Sequence, residues 1–174
     1  MQWGRQHEAV AVRLFAKHNR QWPALECGIV KHPEFSSIGA SPDRLLVHTA
    51  LPLQWLPLEI KCPYKRALPN SVEEIPLKWL MQVQVQLDCL QADKGVLYLW
   101  RPSGAVGFMV YRDDQFAAHY LATVKQFISW VEQPATAPVS RFVKHWVPHS
   151  QEAAYGYLYR SVKFLCYHST GFPQ

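Results

Sequence analysis

The chain has 174 residues, of which 49% are hydrophobic and 18% charged, with a formal net charge of +5 and a pI of about 9.1. That is the composition of a globular domain with a real core rather than of a disordered chain. It holds no run near the roughly 20 apolar residues that span a bilayer, and its first ten residues lack the apolar stretch of a secretion signal. A soluble, intracellular protein without a membrane role is expected. The basic balance suits a polyanionic partner, because neutralising phosphates releases counterions. The excess is uneven: residues 141–174 carry Arg141, Lys144, Arg160 and Lys163 against only Glu152.

In chain order, residues 4–19 form the first predicted helix. Val10, Ala11, Leu14 and Phe15 recur at helical spacing, Glu8 lies at the edge of that stripe, and Pro23 ends the element. Short strands are expected at 28–31 and 38–40, at 44–48 after the turn Ser41-Pro42-Asp43, and at 56–61 before Pro63. A second helix is predicted over 77–91. Leu80, Val83, Leu87 and Leu90 make one stripe of it, and Gln82, Gln86 and Cys89 a neighbouring one. Strands at 95–100 and 106–111 form a hairpin about Arg101–Gly104, and Asp113 or Asp114 caps a last helix ending near Glu132. The order implies a mixed sheet flanked by helices, of the α/β (α+β) class. Residues 134–140 read as a linker.

Cys27, Cys62, Cys89 and Cys166 are scattered without a CxxC pair, so reduced and mostly buried thiols are expected rather than a zinc or iron–sulfur centre. The tail interleaves Phe142, Trp146, Tyr155, Tyr157, Tyr159, Phe164 and Tyr167 with its cations. A single-strand binder uses such mixtures. A helix or strand packed on the domain, with its rings buried, is the preferred reading.

Chemistry concentrates around Leu58-Glu59-Ile60-Lys61. Alternation along a strand sends Glu59 and Lys61 to one side and Leu58 and Ile60 to the other. A carboxylate held beside an ammonium suits phosphodiester hydrolysis, with the acid binding a hard cation and the lysine orienting water. An edge strand with a charged, solvated face fits the same four residues. Asp43, on the neighbouring β segment, could supply a second carboxylate for Mg²⁺, and Glu8 a third. Gln82 and Gln86, one helical turn apart, could order water or touch phosphate.

Taken together and in order, Gly4-x-x-x-Glu8, Ser41-Pro42-Asp43, Leu58-Glu59-Ile60-Lys61-Cys62-Pro63 and Gln82-Val83-Gln84 resemble the phage λ exonuclease and YqaJ-type viral recombinase family. That family belongs to the PD-(D/E)XK nuclease superfamily, and the likeness covers roughly residues 4–130. It implies a restriction-endonuclease-like fold, so that 1–133 reads as the nuclease domain; residues 141–174, a basic, aromatic C-terminal extension, have no counterpart in the resemblance. It also implies a Mg²⁺-dependent DNA exonuclease acting at double- or single-stranded ends in recombination or repair, with Mn²⁺ able to substitute. A catalytically inactive DNA-binding module and a structure-dependent endonuclease are the alternatives. On the same resemblance Asp43, Glu59, the Ile60 carbonyl and Glu8 are the implied metal ligands, Lys61 positions water, and Gln82 supports the site. Ser41, Arg44, Lys65, Arg66 and Gln86 are the candidate DNA contacts. A homo-oligomer and a single-strand annealing protein are the further partners it suggests. Arg44 stands where the family usually has glycine. The upstream region that helps λ exonuclease read a 5′-phosphate has no counterpart before Gly4, so polarity is not carried over.

Overall fold

The structure, a computed structural model, describes residues 2–48, 53–133 and 155–170. The first helix, α1, spans Gln2–His18 and buries Ala11 and Phe15. Asn19 stops it by returning both its backbone N–H and its side-chain amide to the Phe15 carbonyl, each at 2.9 Å. Strand β1 (Ala24–Leu25) then pairs antiparallel with β4 (Arg44–His48). Two residues carry no period, which is why the sequence pattern does not announce β1. Strands β2 (Val30–Lys31) and β3 (Gly39–Ala40) form a separate antiparallel pair.

Strand β5 (Gln54–Lys61) runs antiparallel to β4 and parallel to β6 (Lys94–Arg101). A parallel neighbour demands a crossover. The 3₁₀ turn Val72–Glu74 and helix α2 (Leu77–Leu90) provide it. Gln91, in the left-handed region at φ 51°, ends α2, and the Ala92 N–H returns to the Leu87 carbonyl at 2.9 Å. Pro57 sits inside β5, opposite Leu45. On its other side stands Gly95, where an added Cβ would lie 2.7 Å from Pro57 Cγ and 2.9 Å from the Pro57 carbonyl oxygen. Glycine lets the two backbones close.

Strand β7 (Gly104–Tyr111) turns back along β6, and helix α3 (Asp114–Glu132) follows. Asp113 caps α3 by accepting the Phe116 N–H at 2.9 Å. After a second 3₁₀ turn, Gly156–Ser161, strand β8 (Val162–His168) pairs antiparallel with β7. Among the described residues the main sheet therefore has six strands in the order β1-β4-β5-β6-β7-β8.

Alternation sorts the core into two layers. Leu58, Ile60, Val96, Tyr98 and Trp100 face α1 with Ala11 and Phe15. Leu97, Leu99, Val106, Phe108 and Val110 face α2 and α3, with Leu80, Val83, Leu87 and Phe116. Glu59 and Lys61 consequently point to the α2 side.

Two expectations change. The described part of 141–174 is packed on the domain, as the preferred reading has it: β8 joins the open β7 edge, Leu158 is fully buried and Val162 nearly so. Its rings are not all interior, since Phe164 and Tyr167 are about three-fifths exposed. Residues 134–140, Phe142 and Trp146 lie outside the described residues. Of the four free cysteines only Cys89 is fully buried. No helix among the described residues is long and apolar enough to cross a membrane.

Candidate active site

Antiparallel pairing brings the start of β4 to the end of β5, since Arg44 is in register with Leu58. Asp43, one residue before β4, thereby reaches the end of β5 and accepts the Ile60 N–H on Oδ2 at 2.6 Å. The same end of β5 carries Glu59 and Lys61, and α2 crosses above it with Gln82 and Gln86.

Glu59 is only 2% exposed and sits at the centre of a polar network. Its Oε1 accepts from Lys61 Nζ at 2.6 Å and from Gln82 Nε2 at 2.7 Å. Its Oε2 accepts from Gln86 Nε2 at 2.6 Å. Lys61 Nζ also donates to Gln82 Oε1 at 2.8 Å, so lysine, glutamate and glutamine form a closed triangle. The charged, solvated face that the tetrapeptide alone would allow is not present, because α2 covers it.

Three carboxyls feel one another here. Burial raises the Glu59 carboxyl above its ordinary value and Asp43 adds to the rise, while Lys61 and Gln86 oppose it. Burial also raises Asp43, against the Ile60 N–H, Lys61 and Arg44. Glu8 is raised by burial and then by Asp43, with Arg44 and Lys61 pulling it down. The Cys62 thiol is pushed up to about 12, first by burial and then by Glu8 and Asp43. A thiol held that high is a poor nucleophile beside these carboxyls.

These residues fit a hard divalent cation. The donors are oxygens, and clustered carboxyls with raised values are relieved by positive charge. A carboxylate offers about four lone-pair positions; three donors on Glu59 leave one. Among the described residues no group of three or more His, Cys, Asp or Glu could hold a metal ion by itself. An ion here would thus rely on one or two carboxylates, with water and phosphate completing its shell, as Mg²⁺ commonly does.

Of the candidate DNA contacts, Ser41, Lys65 and Arg66 are exposed. Arg44 is half-buried and engaged within the chain: it donates to the Asp43 carbonyl and lies 3.7 Å from Glu8 and 3.5 Å from the exposed Glu26. Gln86 is 1% exposed and cannot reach a phosphate; its amide is committed to Glu59, and its own Oε1 has no partner. Gln84, part of the sequence motif, serves elsewhere. It binds the Tyr111 carbonyl and accepts the Asp113 N–H, joining α2 to β7 and the α3 cap. Glu26 was not legible as a neighbour of the site, because nothing in its local pattern links it to Arg44. Asp88 was missed as well. Buried on α2, it accepts from Tyr120 at 2.7 Å and lies 3.0 Å from His32, and the Asp88 spacing on its helix resembles an ordinary polar flank.

Comparison with known proteins bears on this arrangement. A family model, the YqaJ-like viral recombinase domain, matches residues 1–93. No curated protein matches the chain. Two solved structures share the fold. The crystal structure of LHK-Exo in complex with dAMP has a TM-score of 0.57 at 22% identity, covering 78% of this chain and 73% of its own. The crystal structure of the alkaline exonuclease LHK-Exo from Laribacter hongkongensis has a TM-score of 0.54 at 21% identity, with the same coverage.

Proposed function

The chain belongs to the family of YqaJ-like viral recombinase domains, and from that membership we propose that it is a Mg²⁺-dependent DNA nuclease acting at strand ends. One observation carries the reading. The Lys61 ammonium is clamped between Glu59 and Gln82, and Asp43 is brought to the same end of β5 from the adjoining strand. Family and fold agree with it, since the solved neighbour is an exonuclease and one of its structures holds dAMP.

In the proposed reaction a water attacks phosphorus in line with the leaving oxygen. The products carry a 5′-phosphate and a 3′-hydroxyl. Asp43, Glu59 and the Ile60 carbonyl would hold Mg²⁺, with Glu8 as a further acidic group. Bound there, the ion would supply Lewis-acid polarisation of the phosphate and lower the pKa of a nearby water. Lys61, fixed by two hydrogen bonds, orients the attacking water and offsets the charge that develops in the transition state. Gln82 holds the lysine and the carboxylate in register. Gln86 fixes the second Glu59 oxygen, so the carboxylate has one orientation before substrate arrives. Ser41, Lys65 and Arg66, all exposed, would meet phosphates, which position a strand without reading its sequence.

End-labelled single- and double-stranded DNA, incubated with Mg²⁺ or EDTA beside Glu59→Ala, tests the proposal. Metal-dependent mononucleotide release, lost in the variant, is expected. Cuts inside a closed circle would replace it with an endonuclease, and retention on DNA without cleavage would replace it with a binding module.

A further inference from the structure

A ladder of aromatic rings begins three residues beyond Lys61. Pro63 follows the strand, and Tyr64 comes next, with 62% of its surface exposed. The Trp3 ring lies beneath it, with centroids 5.0 Å apart at 55°. His7 is packed 3.8 Å from Trp3 at 31°, and Trp100 stacks on His7 at 5.3 Å and 20°. The His7 ring is fixed by a 2.9 Å hydrogen bond between Nδ1 and the Trp3 carbonyl. The rungs thus run from Trp100, 2% exposed in the core, through the first turns of α1, to Tyr64 at the surface.

The loop that carries the outer rung is itself secured. Arg101 reaches across from the end of β6 and donates to the carbonyls of Arg66 at 3.0 Å and Tyr64 at 3.4 Å. Residues 60–72 contain Lys61, Lys65 and Arg66 and no acidic residue. An exposed ring, backed by further rings and bordered by cations, has the chemistry that stacks a nucleobase while the cations follow its phosphates. A base paired within a duplex keeps both faces inside the stack, and only an unpaired base offers a face without its partner.

We infer that Tyr64, supported by Trp3, is a stacking platform for an unpaired base of a DNA strand beside the catalytic cluster. The inference rests on the nuclease reading for its location and deepens it: the preferred substrate end is single-stranded or frayed. Lys65 and Arg66 hold the backbone of the strand whose base lies on Tyr64.

Binding measured without cleavage tests this. Fluorescence anisotropy in EDTA would compare a labelled oligo(dT), an abasic oligonucleotide of the same length and a blunt hairpin duplex, on wild type, Tyr64→Ala and Tyr64→Phe. Tyr64→Ala should weaken oligo(dT) binding about tenfold while leaving the duplex within about twofold, and Tyr64→Phe should restore oligo(dT) binding, since stacking needs the ring and not the hydroxyl. Wild type should prefer oligo(dT) to the abasic strand. Unchanged oligo(dT) affinity in Tyr64→Ala, equal losses on both DNAs, failure of phenylalanine to rescue, or equal binding of the abasic strand would each overturn the platform. If wild type cleaves DNA with Mg²⁺ while any of these holds, the platform fails and the nuclease reading stands. If the platform behaves as expected and wild type cuts nothing, the nuclease reading fails instead.

Discussion

Replacing Gln86 with leucine separates positioning from packing. The wild-type amide makes a 2.6 Å bond to the Glu59 carboxylate, and its Oε1 is buried without a partner. A hydrogen bond to a charged group contributes about 1.5–3 kcal/mol, whereas an orphaned buried acceptor costs about 1–3 kcal/mol. Leucine of similar volume removes both but leaves the buried Glu59 Oε2 without a donor, so the net loss should be about 1–3 kcal/mol and the melting temperature should fall by roughly 2–12 °C. Activity responds differently. Glu59 keeps its Oε1 partners Lys61 and Gln82 but loses the restraint on Oε2. Loss of such an outer-shell support lowers metal affinity or rate by about 10–100-fold. Because the lost bond favoured the charged carboxylate, the Glu59 pKa rises further, and the acid limb of the pH–rate profile shifts to higher pH. Initial rates on end-labelled DNA across pH and Mg²⁺ concentration, with a thermal melt of each protein, would measure all three effects. A variant with wild-type rate and an unshifted acid limb would refute the positioning argument, whatever its stability.

Other substitutions test other parts of the structure. On the proposed role of the amine in the transition state, Lys61→Met should lower the single-turnover cleavage rate by about 10²–10⁴-fold while DNA binding in EDTA changes little. Asp43→Asn should abolish cleavage yet raise the melting temperature in EDTA at pH 7. The folded-state carboxyl is raised above its ordinary value of 3.8, so its contribution to stability is full below that value and is lost as pH rises through the folded one. Asparagine never bears that charge, and the gain should vanish when both proteins are compared near pH 3. Gly95→Ala drives a methyl group into Pro57 and should cost about 1–3 kcal/mol, read as a lower denaturation midpoint with an unchanged slope.

Much of the candidate site was legible because it depends on local geometry. Two-residue alternation correctly set Glu59 and Lys61 on one side of their strand, and the 2.6 Å bond between them follows from it. The four-residue interval between Gln82 and Gln86 put both on one flank of α2, and both meet Glu59. What the pattern could not supply was the cover over that flank. Whether Gln86 faced solvent depended on α2 crossing above β5, a parallel-sheet feature that no single segment encodes, and so it was read as a phosphate contact. The pairing of Arg44 with Glu8 and Glu26 likewise joins residues far apart in sequence, and Glu26 lies outside every motif. Strand β8 escaped for a different reason. Val162, Leu165 and His168 do not alternate cleanly, because the pairing slips by a residue between Gly107 and Phe108.

That late strand has a consequence for how the molecule is made. β7 is synthesised about fifty residues before β8, which at about 5–20 residues per second is a wait of roughly 3–10 s. During the wait an apolar ribbon, Gly104–Tyr111, presents an open row of backbone donors and acceptors to whatever else is near. The growing chain therefore exposes that ribbon to mispairing until β8 emerges, and a chaperone that shields it would raise the yield of native protein more than one acting on the finished sheet.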